Sequence, residues 1–273
     1  MKPSPTLIIG PSWVGDMVMA QALFRLLKAR SPELPLDVLA PDWSLPIVAR
    51  MPEIRRGIAA ETGHGELGFR KRRRIARSLR DEHYAHAIVL PRSFKSALIP
   101  WIARIPRRTG FLGESRFGLI NDVRRFDRGV LDQTVKRFVA LGVEAGEALP
   151  EIPRPALRPS SERQAQLLVD LGLDTAKPVI AMMPGAEYGP AKCWPLDYYA
   201  QLANELDAAG YAVWVLGSGK DGVAGDFIVS NSSAVSLCGR TSLEDDIDIL
   251  APVSYTHLTL PTTGMRGGGG GGG

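Results

Sequence analysis

Short apolar runs alternate with helical patterns twice along this 273-residue chain, and a proline-rich stretch separates the two series. The first series opens with "TLIIG" (6–10), a helical pattern over 15–30, "LDVLA" (36–40) and a short helix near 45–51. It continues with a basic helix over about 66–82, "HAIVLP" (86–91), the helix "FKSALIPWIARI" and a helix near 131–143. The segment "ALPEIPRPALRPSSE" carries four prolines between Leu149 and Ser160 and reads as an extended linker. The second series has strands at 178–185, 211–219 and 235–239. A helix lies between Pro195 and Gly210, and another is opened by Ser242 with Asp245 three residues on. Repeated strand–helix alternation predicts two doubly wound α/β domains facing each other, with ligands at the carboxyl ends of the strands. The expected domains are 1–150 and 178–251, joined by a connecting segment over 151–177.

Composition removes several classes. With 45% apolar and 23% charged residues the chain has an ordinary globular balance. No run of about 18 apolar residues reads as a membrane-spanning helix, and the N-terminus "MKPSPTLIIGPSW" lacks the pattern of a signal peptide. Cys193 and Cys238 make neither a disulfide framework nor a zinc spacing, and a reducing cytoplasm is the expected home. Charge is unevenly placed: residues 70–137 hold 18 Lys and Arg against 6 Asp and Glu. Such a half suits nucleic acid, an anionic membrane or a phosphorylated substrate, and equally a solvated helix face around "FRKRRRIARSLRDEH". Residues 252–273 end in seven glycines, carry no period that joins what precedes them, and are expected to stand outside the fold as a non-native tail.

Three stretches are candidates for chemistry. In "IIGPSWVGDMV" a strand turns into a helix with Asp16 in its first turn, and Gly10 and Gly15 leave room for a ligand against the backbone. This stretch has neither G-x-G-x-x-G nor a phosphate loop, and Asp16 is equally an ordinary first-turn carboxylate. In "MMPGAEYGPAKCWPLDYY" a strand ends at Pro184-Gly185, Lys192 follows, and Pro195 opens a helix. Free N–H groups there would attract a diphosphate, with Lys192 adding charge, unless Lys192 is a plain solvent lysine. "LGSGKDGVAGDF" supplies Gly217, Ser218, Lys220 and Asp221 for the ribose or base of a nucleotide, or simply tight turns. Asp246 and Asp248 match the Asp-x-Asp metal motif only formally, since residues two apart on a helix diverge. No metal site is expected.

At these residues the sequence resembles a known family. "GPSWVGDMVMAQALFRLLKAR", "VLPRSFKSALIPWIARIPRRTGFLGE", "GLINDVR" and "PGAEYGPAKCWP" are similar to the ADP-heptose-dependent lipopolysaccharide heptosyltransferases of glycosyltransferase family 9. Within that family they look most like the members that add the second heptose of the inner core. The likeness runs from about Thr6 to Leu250. It implies a GT-B fold with an N-terminal acceptor domain and a second, incomplete, nucleotide-sugar domain. It also implies an inverting, metal-independent transfer from ADP-heptose to the first heptose on Kdo-lipid A, with no cofactor.

By that resemblance Asp16 is the general base and Lys192 contacts the donor phosphate. Gly185, Gly217, Ser218 and Asp221 lie on the donor side, while Gly15, Arg92, Ser93 and Lys95 lie on the acceptor side. An acidic glycolipid acceptor gives the basic half a use, with Arg92, Lys95, Arg107 and Arg108 as anion contacts and peripheral contact with the inner face of the inner membrane. The family's Asp-Ser-Gly-x-x-His loop would fall beyond Leu250, which points to a parent protein that continues past this chain. Rival readings are another GT-B transferase such as one adding the first heptose, a nucleotide-sugar epimerase, an inactive truncated remnant, or a nucleic-acid-binding protein without a recognition motif.

Overall fold

A computed structural model describes residues 3–60, 68–186 and 193–251, together with the backbone of 255–256. The chain forms two compact units, Met1–Arg158 and Pro159–Gly273. Lys192 lies outside the described residues.

The first unit runs β1 (Thr6–Ile9), α1 (Val14–Arg30), β2 (Leu36–Ala40), α2 (Leu45–Ala49), β3 (Arg56–Ala59), α3 (Phe69–Ser78), β4 (His86–Val89), α4 (Phe94–Ile102), β5 (Arg107–Phe111), β6 (Asp122–Arg124) and α5 (Thr134–Ala140). Its six strands are all parallel in the order β3-β2-β1-β4-β5-β6. β1 and β2 are buried along their whole length, as strands covered on both faces must be. On one face Ile75, Ala76 and Leu79 at α3 and Ala97, Leu98 and Ile99 of α4 pack with Leu7, Leu39 and Val89. Elsewhere in the unit, Ala22 and Leu26 of α1 pack with Val139 of α5 and with Val143.

Strands β3, β5 and β6 were not expected from the sequence. β5 opens with two arginines and β3 with one: Arg56 and Arg107 are paired with carboxylates, and Arg108 donates to backbone carbonyls. Asp37, fully buried on β2, takes a bidentate fork from Arg55 at 2.8 and 2.6 Å and also accepts from Tyr84 and Arg56. The Arg55 and Tyr84 bonds hold its carboxyl below the usual range against the opposing effect of burial.

The proline-rich segment does not hang free. Gln21, fully buried in α1, exchanges hydrogen bonds with the backbone of Ala156 in both directions, and the Arg158 N–H donates to Arg50. These bonds place the boundary between the units after Arg158 rather than near 150.

The second unit runs α6 (Ser161–Asp170), β7 (Val179–Met182), α7 (Leu196–Ala208), β8 (Ala212–Val215), α8 (Gly222–Ser230), β9 (Val235–Ser236), α9 (Leu243–Leu250) and β10 (Tyr255–Thr256). Its strands are parallel in the order β10-β7-β8-β9. Trp214 and Leu216 pack with Leu167 of α6 and Ile249 of α9, while Val213 and Val215, one residue out of step, pack with Tyr199 of α7 and Ile228 of α8. α6 occupies part of the expected connecting segment. It is tied to α9 by the buried Asp248 carboxylate, which accepts the Ser160 N–H at 2.7 Å, and by Arg163 on Asp245. The capping box expected at Ser242 and Asp245 is present. Tyr255 and Thr256, within the tail expected to lie outside the fold, pair in parallel with β7.

One partly buried group makes this fold sensitive to acid. His86 Nε2 lies 2.6 Å from Thr109 Oγ1, which in turn donates to Asp122 at 2.6 Å, so Nε2 carries a hydrogen and donates it to Thr109. Burial, reinforced by the charge of Arg107, pushes its pKa from 6.5 down to about 4. The unfolded chain therefore binds the extra proton first, and stability falls as pH drops from 6.5 towards 4, by about 2–3 kcal/mol. His86→Gln keeps a donor for Thr109 and is expected to flatten that slope in urea denaturation compared at pH 7 and 4.5. An unchanged slope would remove His86 as its source.

Candidate active site

The strand order reverses direction at β1, so β1 and β4 part above their carboxyl ends and leave a crevice there. Gly10 lies at its floor, where a Cβ would come 2.7 Å from Met17 and 3.3 Å from the Leu39 carbonyl. The chain then turns through Pro11, Ser12 and Trp13 into α1, and the Trp43 indole donates to the Ser12 carbonyl at 2.9 Å. Trp13 is the N-cap of α1 and offers no side-chain cap. Asp16, in the first turn, does not supply one either. Its carboxylate makes no hydrogen bond or ion pair among the described residues.

Asp16 instead lines a cavity of about 360 Å³ together with Ser12, Trp13, Pro91, Arg92, Phe111, Thr134, Arg137 and Phe138. Partial burial raises its pKa above the 3.8 of an ordinary aspartate. The helix start favours the opposite direction, and here desolvation wins, so Asp16 is a stronger base than its position in the sequence implied. The far wall is aromatic and cationic. Phe111 and Phe126 meet edge to face at 5.3 Å, and the guanidinium groups of Arg92 and Arg137 lie over Phe126 at 4.7 and 5.4 Å.

A second cavity of about 100 Å³ shares Ser12 and Pro91 with the first and adds Gly10, Arg72, Ser93, Lys95 and Ser96. The structure thus brings Arg92 to the Asp16 cavity and Ser93 and Lys95 to its neighbour. Gly15 lines neither; it is exposed on α1, with nothing within 4 Å of where a Cβ would stand.

The expected anion contacts Arg107 and Arg108 are a correction. Arg107 is bound to Asp122 and Glu144, and Arg108 donates to the Ile105 and Leu119 carbonyls. Both are spent on joining β5 and β6 to the loops beneath them.

In the second unit Gly185, Gly217, Ser218 and Asp221 form one packed cluster beyond the ends of β7 and β8. The Asp221 carboxylate accepts the N–H and O–H of Ser218, each at 2.8 Å. A Cβ on Gly217 would lie 2.8 Å from Asp221, and one on Gly185 would collide with its carboxylate. The glycines therefore admit Asp221, and Asp221 shapes the loop. The nearby Asp246 carboxylate is hydrogen-bonded to Thr241, and Asp248 is buried against Ser160. Among the described residues no group of three His, Cys, Asp or Glu side chains could hold a metal ion.

One residue of the site carries no signal in the sequence. Arg116 is fully buried, in the ten-residue crossover between β5 and β6, and makes no ion pair among the described residues. Its guanidinium donates to the Pro91 carbonyl at 2.7 Å and the Ser93 carbonyl at 3.3 Å, and binds the Phe111 carbonyl through Nε at 3.0 Å and again through Nη2. Pro91 and Phe111 wall the first cavity, while Pro91 and Ser93 wall the second. Burial pushes the Arg116 pKa down to about 10, which leaves it charged at neutral pH. In the sequence it looks like any of the surface arginines around it. Arg116→Met removes the fork's bonds to the Phe111, Pro91 and Ser93 carbonyls, the last two of which keep Ser96 as a donor, and is expected to cost roughly 3 kcal/mol, with Arg116→Lys recovering part, read as the shift in denaturation midpoint. A midpoint unchanged in Arg116→Met would show that the fork contributes nothing.

Comparison with known proteins agrees with this architecture. The model of glycosyltransferase family 9 (heptosyltransferase) matches residues 72–255. Lipopolysaccharide heptosyltransferase 2 of Salmonella typhimurium is 46% identical over 257 residues, covering 90% of this chain and 74% of that protein. Lipooligosaccharide heptosyltransferase 2 of Haemophilus influenzae is 43% identical over 260 residues, with the same shares covered. The solved structure of the Escherichia coli ADP-heptose lipopolysaccharide heptosyltransferase II superposes with a TM-score of 0.83 at 40% identity, over 92% of this chain and 78% of that one. With two doubly wound parallel α/β units of the GT-B type and these relatives, the chain belongs to glycosyltransferase family 9, the heptosyltransferases.

Proposed function

We propose that this protein transfers heptose from ADP-heptose to the first heptose of the lipopolysaccharide inner core on Kdo-lipid A, with inversion and without a metal. The observation that carries the chemistry is Asp16, a partly buried carboxylate that makes no hydrogen bond or ion pair among the described residues and faces a cavity at the switch point of the first sheet. The named activities of relatives at 40–46% identity support the choice of donor and acceptor.

The first unit, residues 1–150 with the docked segment that follows, is the acceptor side. The second, from about residue 178, is the donor side. The acceptor hydroxyl donates its hydrogen bond to Asp16, which takes the proton as the oxygen attacks the anomeric carbon. The bond to the ADP oxygen breaks on the opposite face, its electron pair leaving with the diphosphate. One base and one displacement invert the centre; retention would require a second carboxylate as nucleophile. Transfer needs the two reacting atoms within about 3–3.5 Å.

The departing charge is met by Lys192 and by backbone N–H groups near the start of α7, which has no side-chain cap. Gly185, Gly217, Ser218 and Asp221 hold the loops that receive the nucleotide. Arg92, Ser93 and Lys95 meet the acidic acceptor, with Gly15 keeping the approach to α1 open.

The acceptor's lipid anchor places the reaction at the cytoplasmic face of the inner membrane. The protein would work there peripherally, for among the described residues no helix is long and apolar enough to cross a membrane.

Asp16→Asn is expected to lower transfer by about 10²–10⁴-fold while ADP-heptose binding stays near normal. In the unsubstituted enzyme, activity should fall as pH drops through the raised pKa of Asp16, so the acid limb lies above the position for a free aspartate. Near-normal turnover by Asp16→Asn would remove it as the base. Metal independence is tested by EDTA, which should leave the rate unchanged, and the donor contact by Lys192→Ala, which should raise KM for ADP-heptose.

A further inference from the structure

Three charged side chains line the larger cavity of the first unit: Asp16, Arg92 and Arg137. Among the described residues none of the three is paired with an opposite charge, and they do not pair with one another. Burial alone raises the pKa of Asp16, so neither guanidinium stands close enough to offset it. The cavity therefore holds a lone carboxylate and two lone cations that do not neutralise each other.

Both guanidinium groups are fixed in place. Arg137, in the last turn of α5, folds back towards the start of its own helix. Its Nε donates to the Leu131 carbonyl at 2.9 Å and its Nη2 to the Asp132 carbonyl at 3.0 Å. Arg92, in the turn after β4, donates through Nη2 to the Leu112 carbonyl at 3.3 Å. Gly113 makes room for it, since a Cβ there would lie 2.7 Å from the Arg92 carbonyl oxygen. Both groups lie over Phe126, whose ring meets Phe111 of the cavity wall edge to face. These bonds leave Nη1 of each arginine, and Nε of Arg92, for a further acceptor. Two cations on one ring repel each other, and the described residues place no carboxylate between them. An anion from outside the chain would bridge them.

We infer that Arg92 and Arg137, carried on Phe126, clamp one anionic group of the acceptor, a carboxylate or a phosphate ester, beside the sugar whose hydroxyl meets Asp16. Arg137 is thereby a specificity-determining residue of the transfer, and Phe126 a positioning residue that acts through the two arginines. The planar fork of a guanidinium matches either oxyanion. At about 360 Å³ the cavity lies near the small end of ligand pockets, so the anion belongs to the reacting sugar or to the sugar next to it. The spacing also protects the chemistry, because an arginine bound to Asp16 would weaken it as a base. The inference deepens the proposed function and rests on it for the identity of the acceptor, though not for the presence of an anion site.

The test is calorimetric titration of the full chain with the saccharide released from heptosyl-Kdo-lipid A, in native, carboxyl-reduced and dephosphorylated forms. The unsubstituted protein should bind the native form about tenfold more tightly than one of the other two, and the form that loses affinity identifies the anion. Arg137→Gln should bind the native form about tenfold more weakly and the neutralised form as the unsubstituted protein does, so that the preference vanishes. Phe126→Leu keeps both arginines and should give an intermediate preference, with the thermal transition of both variants retained. An Arg137→Gln protein that keeps the preference would overturn the clamp, and so would one that weakens on all three forms equally, as a purely structural role predicts. Inorganic phosphate supplies an arm without saccharide. It should raise the thermal transition of the unsubstituted protein more than sodium chloride of equal ionic strength does, and that extra shift should be lost in Arg137→Gln. A phosphate effect that depends on Arg137, with no saccharide binding at all, would uphold the anion site and overturn the acceptor reading. Saccharide binding without preference for a charged form would uphold the acceptor reading and overturn the clamp.

Discussion

A single buried guanidinium holds the first unit's functional edge in shape. β5 and β6 are parallel, and a parallel connection normally needs a dozen or more residues. Here ten residues make the crossing, with Glu114, Ser115 and Gly118 at positive φ. A loop so tight leaves carbonyl groups facing inward, and so does the turn after β4. Arg116 answers both sets at once, since its fork reaches Pro91, Ser93 and Phe111 from a site without solvent. Its five N–H donors in a fixed plane make this possible where a lysine could not reach several carbonyls in the same geometry. Both cavities beside Asp16 owe part of their walls to that fork.

The same division of labour explains the basic half. Its cations do not act as a block. Arg107, Arg108 and the buried Arg116 are structural fasteners, each tied to carboxylates or carbonyls of β5, β6 and their loops. Arg92 and Arg137, which line the Asp16 cavity, lie over the Phe126 ring. Only part of the excess, chiefly on α3, is spent on the surface. Local charge density in a sequence therefore overstates how many cations are free for a partner, because several are already paired with carboxylates or hydrogen-bonded to carbonyls within the fold.

Elements with a strong period were legible. The strand 36–40, the helix beginning at Gly15, the cap at Ser242 and the helix ended by Gly210 lie where pattern and terminal residues put them. The elements that escaped have physical reasons. β3, with its exposed first residues, and the three-residue β6 are edge strands that need no apolar run. β5 starts with Arg107 and Arg108, whose polarity hides a strand until their partners are in place. α8 contains two glycines, and Gly225 is required because a Cβ there would lie 2.9 Å from the Cys238 sulfur. α6 follows a run of prolines that looks like linker, and its amphipathic side acquires meaning only against α9.

Of the site, Asp16 was readable because a carboxylate at a strand-to-helix turn is conspicuous in an α/β pattern, and the motifs around it carry the family likeness. Its basicity was not readable: the helix start argues for a lowered pKa, and only the cavity wall around it reverses that sign. Asp221 was read as a possible contact for a nucleotide, and the fold shows it first as the group that shapes its own loop. By itself the sequence determined the fold class, the two units and the place of a carboxylate at the first strand-to-helix turn, since periodicity and turn chemistry are local. The tertiary structure decided which arginines are fasteners, where the unit boundary falls and in which direction the pKa of Asp16 moves. Burial and long-range hydrogen bonding depend on neighbours that the linear order does not reveal.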